Sequence, residues 1–528
     1  MTMKNLVHSA QVNEGARGAY EWARKDPNRI ALITKDVAVS YGELIDRSNM
    51  ISHHLRDLAL RPGDVVSAVV RNGREFWEVS LAAQQIGLYF LPINWHLQPH
   101  ELEYILRDSD AKVLIASPED ARRLSVLETL PLDRYSIGAA IPGWHQYQDL
   151  GDGYPDSPPE DARAGNYLYY TSGTTGKPKG VKRQMFDASP SAMARNFTDM
   201  VIVRGTLSET GAHLVCSPLY HSGPGGVATG SLHLGHTLVL HEEFNAELVL
   251  RDIEKYHVTD THMVPTHFHR LLALSKEVRD RYDHSSLQVV NHAGAPCPPS
   301  LKRRMIEWWG PVIWEYFGST EGMVQARVSS AEWLQKPGTV GKPAANTVVI
   351  LDDNQAEVEP GVDGLIYVKS TLPFEYLGDP GKTATSRHGE YVTVGDFGHL
   401  DSDGYLYVQD RRSDLIISGG VNVYPAEVEA AFMSHPRVDD IGVFGAPDDE
   451  WGQRVVAVIK LTDGPEPSSE LRQELIEFSK KSLASYKRPK QYIFVADFPR
   501  NAAGKASRAS LRQTYEPQLA TSAHLRRP

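Results

Sequence analysis

The sequence contains very little cysteine: Cys216 and Cys297 are its only two thiols in 528 residues. Two cysteines cannot build a disulfide framework, and they cannot supply a thiolate zinc cluster. Disulfides are also rare in reducing compartments. We therefore expect a reduced protein with a cytoplasmic location.

Long apolar runs and excess positive charge are also missing. No stretch approaches the roughly 18 uninterrupted apolar residues of a membrane-spanning helix, and the first residues lack an apolar core of signal-peptide length. The formal net charge is −11, and the lysines and arginines are dispersed, which disfavours nucleic acid and anionic membranes as partners. These features predict a soluble protein with small-molecule partners. They leave the oligomeric state open, and a homodimer is compatible with them.

Strand and helix patterns alternate over most of the chain. "VVSAVV", "REFWEVSLAAQQIGL" and "AKVLIAS" are examples, and such alternation predicts mostly parallel, doubly wound sheets. From about Gly364 the pattern changes to short strands, with a hairpin signal at Asp403-Gly404. The predicted fold class is α/β: a large N-terminal domain of doubly wound sheets with a β-rich subdomain, and a small mobile α/β C-terminal domain. The charged turn near Arg412 is the expected boundary, which gives domains 1–411 and 412–528.

A glycine-rich loop follows an apolar strand in "YLYYTSGTTGKPKGV" (167–181). Its glycines, hydroxyl groups and lysines can wrap an anion with main-chain and side-chain donors. It is not the loop of a nucleotide-hydrolysing P-loop protein, because Pro178 follows Lys177 where Ser or Thr should ligate magnesium. A flexible linker is the alternative interpretation, but linkers seldom follow a strand so directly. The pattern favours a phosphate site whose metal ligand lies elsewhere.

This loop resembles the signature of the adenylate-forming superfamily, which includes acyl-CoA synthetases, peptide-synthetase adenylation domains and firefly-type luciferases. Three further motifs that resemble those of the superfamily follow in the expected order: "YFGSTEG" (316–322), "GDFGHLDSDGYLYVQDRRSDLIISGG" (395–420) and "NAAGK" (501–505). The resemblance extends over nearly the whole chain. Single motif matches are weak, but four in order identify the chain as a member of the superfamily. "EWGQR" (450–454) and "SYKRPK" (485–490) resemble segments of its aryl-CoA ligase branch, so the resemblance implies a fatty- or aryl-acid:CoA ligase.

The resemblance implies ATP, Mg²⁺ and CoA as ligands. Glu321 is the expected metal ligand, since its carboxylate is a hard oxygen donor. The expected catalytic residues are Thr320, Glu321 and Lys505, the last as a mobile cation that bridges the substrate carboxylate and the α-phosphate. The expected ATP-binding residues are Thr171, Ser172, Gly173, Thr174, Thr175, Gly176, Lys177, Gly294, Ala295, Pro296, Tyr316, Asp396 and Arg411. Among these, Tyr316 would offer an aromatic face to adenine, while Asp396 and Arg411 would bind the ribose.

The resemblance also implies a hinge and a CoA site. The hinge position is occupied by Ser413, whereas many members of the superfamily have Asp or Lys there, so a charge that helps to balance two domain orientations is missing. The expected CoA-binding residues are Gly419, Gly420, Trp451, Tyr486, Arg488 and Lys490. The alternative for Trp451 is a packing role, and the alternative for the basic segment is a solvated turn.

The acyl pocket is expected around His221, Gly223, Met263, Gly318 and Met323. The glycines at 223, 225 and 226 occupy little space and predict a roomy pocket, and the methionines are adaptable walls. His267 and His269 have the spacing of a metal pair, but no third ligand lies nearby, which disfavours zinc.

These features predict an ATP-dependent carboxylic acid:CoA ligase that forms AMP through an acyl-adenylate. The expected acid is hydrophobic, either a medium- or long-chain fatty acid or a bulky ring-bearing acid. One alternative is an adenylating enzyme with an amine or carrier-protein acceptor, as in amide synthetases. The other is a non-catalytic acyl- or nucleotide-binding homologue.

Overall fold

The computed structural model of the chain describes residues 17–35, 37–124, 130–171, 178–203, 207, 211–370, 372–411, 414–418, 421–448, 451–498 and 508–523. Within these ranges, every helix is too short or too polar to span a lipid bilayer.

The strands are β1 (Ile30–Thr34), β2 (Val37–Ser40), β3 (Val65–Val69), β4 (Tyr89–Pro92), β5 (Ala111–Ala116), β6 (Asp133–Ser136), β7 (His145–Gln146), β8 (Asn166–Thr171), β9 (Lys179–Arg183), β10 (Ala212–Val215), β11 (Thr237–Leu240), β12 (Asp260–Met263), β13 (Val289–His292), β14 (Ile313–Ser319), β15 (Met323–Val328), β16 (Val348–Leu351), β17 (Gly364–Lys369), β18 (Phe374–Tyr376), β19 (Arg387–His388), β20 (Tyr391–Val392), β21 (Asp396–Leu400), β22 (Leu406–Arg411), β23 (Ile416–Ser418), β24 (Val421–Val423), β25 (Val438–Asp448), β26 (Gly452–Leu461) and β27 (Gln491–Val495).

The α-helices are α1 (Ala19–Lys25), α2 (Tyr41–Asp57), α3 (Arg74–Gln85), α4 (Pro99–Asp108), α5 (Pro118–Leu124), α6 (Pro190–Val203), α7 (Ser222–Leu234), α8 (Ala246–Tyr256), α9 (Pro265–Leu272), α10 (Lys276–Arg279), α11 (Pro299–Trp309), α12 (Ser330–Gln335), α13 (Pro380–Thr385), α14 (Pro425–Phe432), α15 (Ser469–Ser482) and α16 (Arg508–Ala523).

Two large, mostly parallel sheets form the N-terminal part. The first has the strand order β15-β14-β13-β12-β10-β11-β1-β2, and the second has the order β18-β9-β8-β4-β3-β5-β6-β7. Only their outer pairs are antiparallel: β14 with β15 and β1 with β2 in the first, and β8 with β9 and β9 with β18 in the second. Buried apolar residues of both sheets and of α2, α3 and α7 form one core cluster, so these helices pack between the sheets. The outer helices cover the other faces.

The predicted β-rich subdomain is confirmed by a third, antiparallel sheet. Its order is β19-β20-β17-β21-β22, with β16 added along β17. The turn at Asp403-Gly404 joins β21 to β22, whose register pairs Leu400 with Leu406. The Gly404 backbone has φ +81°, a conformation that favours glycine. The α/β fold class is therefore confirmed together with its β-rich part.

The C-terminal segment forms a smaller α/β unit around the sheet β24-β23-β26-β25, and β27 pairs with β26 in parallel. Its core is separate from those of the large sheets. It contacts the N-terminal part through His269, whose Nε2 lies 3.1 Å from Asp439 Oδ1, and through Tyr424, whose hydroxyl donates to Asp363 Oδ2. The domain boundary at 411/412, which lies between β22 and β23, stays a prediction.

Candidate functional site

Most of the predicted site residues that the structure describes line one cleft. It opens at the carboxyl ends of β8, β12, β13 and β14, where the strands of an α/β sheet present their loops. Residues of the third sheet and of the C-terminal unit, including Asp396 and Arg508, line the same cleft. The cleft therefore joins the phosphate loop, the Thr320–Glu321 turn and the C-terminal unit.

The phosphate loop is described only at its two ends. Thr171 ends β8 and pairs with Lys179 of β9, so an antiparallel pair closes the base of the loop. The predicted contacts at Ser172, Gly173, Thr174, Thr175, Gly176 and Lys177 lie outside the described residues. Lys179 lines the cleft with its ammonium 5.6 Å from the Tyr376 ring centre. Burial, followed by the nearby charge of Lys382, lowers its pKa. Lys179 and Lys382 thus lie near each other on the lining of the cleft.

The turn at Thr320 and Glu321 joins β14 to the antiparallel β15. The Thr320 hydroxyl lies 2.8 Å from the Ser222 hydroxyl at the start of α7. Glu321 is buried, and the Tyr376 hydroxyl donates to its Oε1 at 2.9 Å. Arg183 donates to the main-chain oxygen of Thr320. The turn is therefore held in one position by groups from three other elements.

A buried ion pair fixes the strand that carries this turn. Lys302 of α11 is fully buried, and its Nζ lies 2.7 Å from Glu315 Oε2 on β14. Breaking such a pair leaves an uncompensated charge in a medium of low dielectric, which strongly destabilises a fold. The pair therefore anchors β14 against α11.

Asp396 and the loop 294–296, which the sequence predicts to bind the nucleotide, both line the cleft. Gly294 has φ +83°, so the chain turns there in a conformation that favours glycine. Gly294, Ala295, Pro296 and Asp396 all line the cleft. Asp396 begins β21 opposite Arg411 of β22, which puts both predicted ribose residues at one register position. The side chain of Arg411 lies outside the described residues.

Two consecutive aromatic residues on β14 face different surroundings. The Tyr316 ring is buried, and its hydroxyl lies 2.9 Å from His262 Nε2. Phe317 lines a small cavity together with Asp396. The motif does not single out Phe317, and the period of two along a strand places its side chain on the opposite face from that of Tyr316. An adenine-facing role for Tyr316 stays a prediction, and Phe317 is a second candidate for it.

His221 and Gly223, which the sequence predicts for the acyl pocket, line the cleft at the start of α7, and we call this part of the cleft the acid side. His221 precedes this helix, and its ring centre lies 4.5 Å from that of Tyr220. A Cβ on Gly223 would lie 3.1 Å from the Tyr316 hydroxyl, and one on Gly226 would meet nothing within 4 Å. Gly318 lines the cleft as well. Of the glycines at 223, 225 and 226, only Gly226 therefore has open space beside it, whereas Gly223 lies close to Tyr316 and a Cβ on Gly225 would lie 2.6 Å from the Leu219 main-chain oxygen. A roomy acyl pocket stays a prediction.

Met263 does not line the cleft, contrary to the sequence prediction. It is fully buried in the core cluster of the outer sheet face, with Phe268 and Val290. Successive side chains on a strand point to opposite faces, so His262 rather than Met263 lines the cleft. The side chain of Met323 lies outside the described residues.

The predicted CoA-nucleotide residues lie on the C-terminal unit, outside the cleft lining. Trp451 is 38% exposed, and Lys490 Nζ lies 5.3 Å from its ring centre. Tyr486 packs against the C-terminal core. Arg488 donates to the main-chain oxygens of Leu483 and Lys480 at 2.9 and 3.2 Å, which caps the end of α15. The structure thus gives Arg488 a helix-capping role that the sequence analysis did not foresee.

Several predicted residues fall outside the described residues: Ser413, Gly419, Gly420 and Lys505. The chain resumes at Arg508, which lines the cleft and lies 2.8 Å from Glu429 Oε2. The described chain therefore begins again beside the cleft, at a residue that is three positions after Lys505 in the sequence.

The histidine pair at 267 and 269 does not form a metal site. His267 stacks on Phe244 with ring centres 4.0 Å apart, and burial lowers the pKa of His267 to about 3. His269 instead contacts Asp439. In the described part of the chain, no group of three or more His, Cys, Asp and Glu residues could hold a metal ion.

Comparison with known proteins gives matches over nearly the whole chain. Residues 19–375 match the AMP-binding enzyme family, and residues 427–505 match the AMP-binding enzyme C-terminal domain. The chain is 34% identical to the 2-succinylbenzoate–CoA ligase of Bacillus licheniformis over 498 residues, which cover 93% of this chain and 98% of the relative.

Solved structures with the same architecture include two of direct interest. The anthranilate CoA ligase AuaEII in complex with anthranoyl-AMP has a TM-score of 0.84 and 26% identity, over 96% of this chain and 99% of that one. The amide bond synthetase McbA from Marinactinospora thermotolerans has a TM-score of 0.79 and 27% identity, over 92% of this chain and 97% of that one.

Proposed function

Since the chain belongs to the AMP-binding enzyme family, in its acyl- and aryl-CoA ligase branch, we propose that it joins a ring-bearing hydrophobic acid to CoA at the expense of ATP. The observation that carries this proposal is the placement of the Thr320–Glu321 turn, Asp396 and the His262–Tyr316 pair on one cleft. The named relatives act on or bind aromatic acids, which favours a ring-bearing acid over a fatty acid.

The reaction divides into an adenylyl transfer followed by an acyl transfer. In the first, a carboxylate oxygen of the acid attacks the α-phosphorus of ATP, the bond to the β-phosphate breaks, and pyrophosphate leaves with the electron pair. In the second, the CoA thiolate attacks the acyl carbonyl and AMP leaves. Preorganised donors near the α-phosphate stabilise the charge that develops there. Thr320 is the described donor for this role, and Lys505 is the predicted one.

Magnesium fits the residues that are present. Glu321 offers a hard carboxylate oxygen at the cleft, and the Tyr376 hydroxyl orients that carboxylate. Mg²⁺ at a nucleotide site is held by one or two carboxylates, by phosphates and by water rather than by an all-protein cage. Bound there, the ion would neutralise phosphate charge. Thr320 and the cleft-lining lysines, Lys179 and Lys382, would position the nucleotide.

The experiment that tests the proposal is acid-dependent pyrophosphate release with a panel of aromatic and straight-chain acids, with and without CoA. We expect turnover with ring-bearing acids and thioester formation only when CoA is present. Absence of acid-dependent release with every acid would favour the non-catalytic alternative.

An amine acceptor is the second candidate function, because the fold also matches an amide bond synthetase over most of both chains. The two acceptors are distinguished by the patch formed by Trp451 and Lys490. An exposed indole with a neighbouring ammonium suits a nucleotide base and its phosphate, and an amine acceptor has neither group.

Replacement of Lys490 by alanine should therefore raise the KM for CoA about 5- to 10-fold, the effect of losing roughly 1 kcal/mol at an exposed cationic site. The kcat and the KM for ATP should not change. Lys487→Ala is the matched control, because this nearby lysine already pairs with Glu427. Steady-state kinetics with varied CoA measures both variants. An unchanged KM for CoA in Lys490→Ala would argue for another acceptor.

A further inference from the structure

Arg183 is a cation at the cleft that has no role in the proposed reaction. It ends β9, is partly buried and lines the cleft. Within the described residues, its guanidinium has one hydrogen bond, to the main-chain oxygen of Thr320. A guanidinium carries five N–H donors in a rigid plane and stays charged at all working pH values. Most of its donors are therefore available to a ligand.

The strand register places Arg183 on the acid side. Tyr169 pairs with Val181, so Tyr169 and Arg183 share one face of the β8–β9 ribbon. A Cβ on Gly225 of α7 would lie 3.0 Å from the Tyr169 hydroxyl, so this face lies against the helix of the acid subsite. The neighbouring Lys182 points to the opposite face, where its Nζ lies 3.9 Å from Glu375 Oε1.

The electrostatics favour an anionic ligand for this guanidinium. Burial lowers the pKa of Arg183, an effect that the charges of Tyr169 and Glu321 partly oppose. The Glu321 carboxylate accepts from Tyr376 and is the expected magnesium ligand, so it does not compensate Arg183 fully. A partly desolvated cation gains most from a charge-assisted, bidentate partner, and a carboxylate matches its geometry.

We propose that Arg183 binds a second anionic group, a carboxylate, on the acid that this enzyme activates. This inference rests on the proposed function and names its substrate class as dicarboxylic acids. Because the guanidinium donates to the main-chain oxygen of Thr320, it lies next to the proposed site of adenylation. The acid is therefore compact, with only a few bonds between the reacting carboxyl group and the second one.

The test compares pairs of acids that differ only in the second carboxyl group. Suitable pairs are terephthalic with 4-methylbenzoic acid, isophthalic with 3-methylbenzoic acid, and adipic with hexanoic acid. Acid-dependent pyrophosphate release gives kcat/KM for the unaltered protein and for Arg183→Met, Arg183→Lys and the control Lys182→Met. The KM for ATP is measured in parallel.

We expect the unaltered protein to prefer the diacid of at least one pair. Arg183→Met should lower kcat/KM for that diacid about 30-fold more than kcat/KM for its methyl partner, in the range of a lost charge-assisted hydrogen-bond pair. The loss that both acids share reflects the missing contact to the Thr320 carbonyl. Arg183→Lys should retain part of the preference, and Lys182→Met should retain all of it.

Three results would overturn the inference while leaving the proposed function intact. An equal loss for both members of each pair would show that Arg183 acts only by holding the Thr320 carbonyl. A higher KM for ATP with every acid would assign the guanidinium to a phosphate. Preference of the unaltered protein for the methyl partners would exclude a dicarboxylic acid. Absence of acid-dependent release with all pairs and with the wider acid panel would contradict the proposed function itself.

Discussion

Replacement of Lys505 by alanine should slow acid-dependent pyrophosphate release about 10²- to 10³-fold, the usual effect of removing one preorganised donor from a developing oxyanion. Thiolation of a supplied acyl-adenylate should change less than 3-fold. The reason is that the pentavalent α-phosphorus centre forms only in the first step, whereas the second step reacts at the acyl carbonyl and breaks its bond to AMP.

The two half-reactions are measured separately for this variant. The first is followed by pyrophosphate release without CoA, and the second by thioester formation from synthetic acyl-adenylate and CoA. Lys480→Ala serves as the control, because Lys480 pairs with Glu477 on the surface of α15. An equal loss in both half-reactions would show that Lys505 does not act specifically in the adenylation step.

Replacement of Glu321 by glutamine should lower adenylation about 100-fold and move its Mg²⁺ dependence to higher concentrations. A neutral amide is a weaker ligand than a carboxylate for a hard cation. Glutamine keeps the size of the side chain and can still accept from the Tyr376 hydroxyl. The folded structure should therefore be retained, with a thermal unfolding midpoint close to that of the unaltered protein.

The measurement for this variant is pyrophosphate release over a range of Mg²⁺ concentrations. Glu375→Gln is the matched control: Glu375 lies on β18 next to Tyr376, and its carboxylate faces Lys182 rather than the turn. If Glu321→Gln had the Mg²⁺ dependence of the unaltered protein, another group would have to hold the ion.

The sequence predicts the fold well where local patterns and packing agree. Buried strands such as β3 alternate with amphipathic helices, and α2 begins where Ser40 and Glu43 form a capping box. Asp403-Gly404 predicts its hairpin because the turn type demands these residues.

The sequence predicts individual side-chain directions less well. Met263 and His262 are neighbours, and only the strand register shows that the histidine faces the cleft and the methionine faces the core. The same alternation separates Tyr316 from Phe317. The error at Met263 arises because a motif identifies a segment, whereas the pleat of the strand decides which face each residue presents; the role of Tyr316 stays a prediction.

Tertiary side-chain contacts are the other part that the sequence does not reveal. Arg183 follows the phosphate loop on β9, and only the folded chain brings it to Thr320, 137 residues away. No local pattern encodes this contact, because it depends on how distant elements pack. The Arg488 contacts are local, since this side chain caps α15 through the main-chain oxygens of Leu483 and Lys480, but a basic segment does not by itself distinguish a cap from a ligand contact.

The central claim is that the chain converts an acid, ATP and CoA into an acyl-CoA thioester, AMP and pyrophosphate. The most direct test is to incubate the protein with ATP, Mg²⁺, CoA and the best acid of the panel, and to identify every product by mass. The account predicts AMP and an acyl-CoA thioester in equal amounts. Formation of AMP and pyrophosphate at the same rate without CoA, and no thioester when CoA is added, would contradict it.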